Sequence, residues 1–192
     1  IAGSGNIHIF KGKTLGFGAS SSKFEGVIRG DGGIKKAGSK DSKTELSGVN
    51  TYFGATKVES GELLVTGSLV NTPSIEISKG ATLKVKGNGS LNESVTVTID
   101  QGADYFSDTD DAISSISGSG IIKLFNSGKT LSVGGLGENF AFSGKISGQG
   151  NFTKEGSGVF TISSDYVFAT SNDDILQHSG ITTVKAGTID FK

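Results

Sequence analysis

Short runs of alternating apolar and polar residues, broken by glycine, fill most of the chain. In Ile75–Val85, Ile75, Ile77, Leu83 and Val85 alternate with polar residues on either side of Gly80, as two half-buried strands around a turn require. Val95, Val97 and Ile99 repeat the device. Val58, Ile77, Ile99 and Val184 each precede a glycine by three positions (Gly61, Gly80, Gly102 and Gly187). An apolar pair follows, such as Leu63/Val65, Leu83/Val85 or Ile189/Phe191. The consecutive glycines stand about 20 residues apart, and a unit of that size buries its apolar face only by stacking on its neighbours. The pattern predicts an all-β parallel β-helix. An antiparallel sandwich is the competing arrangement, but it gives no reason for Gly-x-Thr-Leu to recur at Gly12, Gly80 and Gly128. The only helical candidate, Asp110–Ile116, is short and serine-rich.

A longer duplication overlies this period. Gly26, Gly30, Gly32, Ile34, Lys36 and Gly38 are matched in step by Gly144, Gly148, Gly150, Phe152, Lys154 and Gly156. The copies, residues 24–65 and 142–191, close on Val58, Gly61 and Leu63 against Val184, Gly187 and Ile189. What recurs reads as punctuation and apolar spacing, without an acid, base or nucleophile. Both copies resemble the passenger-associated repeat of bacterial autotransporters. The first carries Ser47–Leu63 (SGVNTYFGATKVESGEL) after a polar insert around Lys40, Asp41 and Lys43. The second keeps Gly156–Ser163 (GSGVFTIS) and then runs into a polar loop, Ala169–Gln177. The resemblance implies a right-handed parallel β-helix, in keeping with the usual hand of parallel crossovers, and export through a membrane pore. The expected organisation is one solenoid segment, residues 1–192, of a longer passenger.

Composition agrees with many short strands joined by glycine turns: of 192 residues 31 are Gly and only 1 is Pro. There is no Cys, which excludes disulfides and thiolate chemistry and suits a chain that crosses a pore unfolded. A net charge of −1 and a single arginine, Arg29, set nucleic acid aside as a partner. No apolar run is long enough to span a bilayer, so no membrane insertion is expected of this segment, and the opening residues lack a signal-peptide pattern.

The candidate chemistry is sparse. Gly12–Thr14 and Gly128–Thr130 spell Gly-Lys-Thr, but the upstream glycine of a phosphate loop is replaced by Ile7 and Lys123, so both read as corners leading into strands. His8 and His178 stand apart from any second histidine or cysteine, so no zinc set is expected. His8 should point outward and His178 should lie in the polar loop. Serines lack an elbow motif and a histidine partner. Asp104, Asp108, Asp110 and Asp111, and separately Asp173 with Asp174, read as solvated loops. The first group offers several carboxylate oxygens of the kind calcium takes, but it lacks the loop glycine and terminal glutamate of a calcium loop. Arg29-Gly30-Asp31 spells a tripeptide bound by many integrins and is the one candidate binding site, with a solvated corner as the plainer reading.

These observations lead to the expectation of a surface-displayed or secreted, non-catalytic scaffold without cofactor or metal. Its expected partners are a host-cell surface or extracellular-matrix component, or other passengers through self-association. A passive stalk and a β-helical carbohydrate-active enzyme are the alternatives.

Overall fold

The computed structural model describes residues 1–163 and 178–192, and among these every regular element is a strand. The strands pair in parallel, and through Gly148 each stacks on the strand three places back along the chain, with breaks in the ladder between Val27–Arg29 and Val49–Asn50, between Ser90–Leu91 and Asp111–Ile113, and between Ser115–Gly118 and Phe140–Phe142, so three strands make one turn of a solenoid. Three faces result. Face III is a single seven-stranded sheet: Ser22–Phe24, Lys43–Leu46, Gly61–Val65, Ala81–Lys86, Asp104–Asp108, Ile121–Leu124 and Lys145–Gly148. Face II stacks Thr14–Phe17, Gly33–Lys36, Thr56–Val58, Ser74–Ile77, Thr96–Ile99 and Ser115–Gly118, and continues in Phe140–Phe142, Val159–Ile162 and Thr188–Phe191. Face I runs from Asn6–His8 and Val27–Arg29, through Val49–Asn50, Ser68–Leu69 and Ser90–Leu91, to Asp111–Ile113, Thr130–Val133, Asn151–Lys154 and Thr182–Val184. The solenoid makes about seven turns.

Alternation fixes which residues point inward, and stacking turns them into ladders. On face III Leu63 lies in register with Leu83, and Leu83 with Tyr105, all fully buried. Val65 and Val85 form the next rung of the same strands. On face II Ile75, Val97 and Ile116 follow one another inward. Burying an aliphatic side chain contributes roughly 1.5–3 kcal/mol, so these ladders supply the main drive for winding.

The corners fall where the glycine spacing predicts. Gly61, Gly80 and Gly102 all have left-handed backbone, with φ of 69°, 79° and 80°, and each leads into a face III strand. Gly12 and Gly128 likewise precede the strands Thr14–Phe17 and Thr130–Val133, so both Gly-Lys-Thr sequences are corners. Two expectations are corrected. The acidic stretch is not a solvated loop, because Asp104–Asp108 and Asp111–Ile113 are strands of faces III and I. Nor does His178 lie in a loop: it forms a parallel bridge with Gly148 that extends face III. The loop expected at 169–177, with Asp173 and Asp174, lies outside the described residues.

Candidate functional site

The most unusual chemistry in the interior is a lysine inside an apolar ladder. Along face II the inward positions run Phe17, Lys36, Val58 and Ile77, and Lys36 is 0% exposed. Its position follows from local sequence, because Ile34 and Lys36 are two residues apart on one strand and so share a side. The ammonium does not meet a carboxylate. Nζ donates to the carbonyl oxygens of Ala37 (3.0 Å) and Ser60 (2.8 Å) and to Ser42 Oγ (2.8 Å), while Ser42 Oγ donates to Ser39 O (2.6 Å). Ala37 and Ser60 belong to successive coils, so one side chain ties two corners together. Desolvation lowers the Lys36 pKa below its ordinary value. Gly61 borders the same pocket, and a Cβ there would run into Ser42 O and the Lys36 Nζ.

The second copy rebuilds this arrangement around Lys154, also 0% exposed. Its register partners are the buried Val133 and the half-exposed Val184, and its ammonium bonds to the carbonyls of Glu155 and Gly156 (3.0 Å for the latter), both of its own corner. Burial lowers its pKa as well. The duplication therefore does carry an ionisable group, contrary to the reading that only spacing recurs. The signal was in the sequence, as a lysine two residues after an apolar inward position in both copies.

Two further buried polar groups close the seams of face I. Asn50 Oδ1 accepts the N–H of Ile28 (3.0 Å), and its amide donates to Gly48 O (2.9 Å) and Ser68 O (3.3 Å). Three coils later, at the break between Ser90–Leu91 and Asp111–Ile113, the Asp111 Oδ1 likewise accepts a backbone N–H from the neighbouring coil, that of Leu91 (3.0 Å). Its Oδ2 accepts from the buried Tyr105 hydroxyl at 3.5 Å. Burial pushes the Asp111 carboxyl up to about 6 despite these donors. The other acids of the group separate from it. Asp104 pairs with Lys123 at 3.0 Å, whereas Asp110 takes Lys129 Nζ at 2.9 Å and the Thr130 N–H at 3.0 Å. Among the described residues no group of three potential ligands converges as a metal site would require.

Outward, faces II and III carry rungs of ion pairs between coils: Lys35–Glu59 (3.3 Å), Lys57–Glu76 (2.9 Å), Lys23–Glu45 (3.7 Å) and Lys43–Glu62 (3.1 Å). Exposed pairs of this kind contribute little each, at most about 1 kcal/mol. His8 is exposed on face I beside Phe10, with ring centroids 4.8 Å apart. The His178 ring lies between Gly150 O (2.7 Å from Nε2) and Thr182 Oγ1 (3.3 Å from Nδ1). Arg29 ends a face I strand and Asp31 sits in the bend that follows. Both are exposed, with Gly30 between them at φ 103°.

The fold and its buried lysine corners define the class as a repeat-built parallel β-solenoid. The chain carries the passenger-associated-transport-repeat, whose family model matches residues 42–65 and 152–190, a repeat found in autotransporter passenger domains. No curated protein and no solved structure matches the chain.

Proposed function

We propose that this chain is a surface-displayed or secreted passenger segment that works as a non-catalytic adhesion and self-association scaffold. The observation that carries the reading is the in-register outward row of face II. Lys35, Lys57, Glu76, Thr98 and Ser117 follow one another across successive coils. Such rows offer many weak polar contacts to a host-cell surface or matrix component, so attachment comes from area and from many displayed copies. Arg29-Gly30-Asp31 is accessible, but under this reading it is one contact among many. The transport repeat supports location at the cell surface or outside the cell.

The test is attachment of protein-coated beads to cultured cells and to matrix proteins. Asp31→Ala should stay within about threefold of wild type, under roughly 0.7 kcal/mol. Arginine at Thr96, Thr98, Ser115 and Ser117 together should abolish attachment with the circular dichroism spectrum unchanged. Loss of attachment in Asp31→Ala alone would make the tripeptide the site. Release of reducing sugars from a polysaccharide panel would instead establish a carbohydrate-active enzyme.

A further inference from the structure

Face I differs from the other two faces over its first coils. Phe10 (71%), Phe53 (59%), Val49 (55%) and Val70 (41%) all stand exposed there. Arg29 and Asp31 lie among them, and among the described residues neither forms an ion pair. The register makes two adjacent columns. His8 lies beside Arg29, and the N–H of Thr51 on Ile28 O (2.8 Å) places Thr51 beside Arg29. The N–H of Val70 on Asn50 O (2.9 Å) places Val70 beside Thr51. In the second column Phe53, whose N–H bonds Gly30 O at 2.9 Å, stands beside Asp31.

We propose that this part of face I is a self-association surface whose occupant is a second copy of the same chain. The charges select the arrangement. A two-fold axis parallel to the solenoid and passing beside Gly30 sets the first column of one copy against the second column of the other. Arg29 then meets Asp31 of the second copy, its symmetry mate repeats the pair, and Thr51 meets Phe53. An in-plane axis turned by a right angle sets Arg29 against Arg29 and is repelled. The favoured axis keeps the two solenoids pointing the same way, as neighbouring passengers on one surface would. Isologous contacts are self-complementary in this manner, and a contiguous exposed apolar patch is the usual mark of an interaction site. Lys35, Lys43 and Lys57 on faces II and III, by contrast, are engaged by acids of their own chain.

The proposal deepens the scaffold reading by naming a partner and a face, and sedimentation equilibrium of the full chain tests it. Wild-type protein at about 0.5 mM should show reversible dimer, the range where even a weak interface is populated. Arg29→Asp and Asp31→Arg, each placing like charges together twice, should weaken association about tenfold. The double swap should restore it to within about threefold of wild type, a rescue that loss of folding does not produce. Val49→Lys and Phe53→Lys should leave a folded monomer. Wild-type protein that stays monomeric, or association unmoved by Phe53→Lys, would overturn the proposal. Neither result bears on attachment to cells, which is read separately on immobilised protein.

Discussion

Lys36 and Lys154 hold the same place in the two sequence copies, yet Lys36 faces inward from face II and Lys154 from face I. What the duplication preserves is a device: an ammonium held by backbone carbonyls at a glycine corner. The face on which that device falls is free to change.

Lys36→Met should destabilise the fold by about 2–4 kcal/mol, read from the denaturant midpoint, because it retains the packing stem and leaves the Ala37 and Ser60 carbonyls without a donor. A buried ion can be replaced by an apolar group at little cost when its partners are replaced too, but backbone carbonyls cannot be. Lys154→Met should behave alike. A midpoint equal to wild type in both variants would show that the ammonium holds nothing together.

Asp111 gives the fold a defined pH response. In the folded chain the group keeps its proton up to about pH 6, against 3.8 ordinarily, so between these values the folded state binds the extra proton. Its contribution is therefore fully present below about pH 4 and is lost as the pH rises through 6. Asp111→Asn, which mimics Asn50, should stabilise at pH 7 by about 1–3 kcal/mol and converge on wild type near pH 4. A difference independent of pH would exclude Asp111 as the titrating group.

Leu63 and Leu83 are register partners, and the spacing of adjacent strands, about 4.8 Å, lies within disulfide reach. The chain contains no native cysteine to compete. Leu63→Cys with Leu83→Cys should therefore form one bridge on oxidation, and Leu63→Cys with Leu91→Cys, which are out of register, should not. Equal bridging in both variants would contradict the stacking.

Gly61 and Gly80 share a left-handed backbone but differ in surroundings. At Gly80 nothing would touch an added Cβ, so Gly80→Ala should cost only the backbone term, about 1–2 kcal/mol. Gly61→Ala must in addition displace Ser42 O and the Lys36 ammonium, and should cost more. Thermal or chemical midpoints in the reverse order would refute the corner geometry.

Alternation and glycine spacing by themselves determined the parallel solenoid, the inward ladder of Leu63 and Leu83, and the corners at Gly61, Gly80 and Gly102. Each is written in a few consecutive residues. The sequence also placed Lys36 on the inward side, through its spacing from Ile34, but not its partners, because Ser60 comes from the next coil. The acids from Asp104 to Asp111 read as a loop because charge resembles solvation locally. Only stacking shows Asp111 accepting the Leu91 N–H at a seam while Asp104 and Asp110 stay outside. The same limit governs the faces. Gly-x-Thr-Leu at Gly12, Gly80 and Gly128 opens a strand on face II, face III and face I respectively. A corner and an alternating strand are local properties of backbone and side chain. The face they occupy depends on how many strands have been wound before them, and that count is kept only by the tertiary structure.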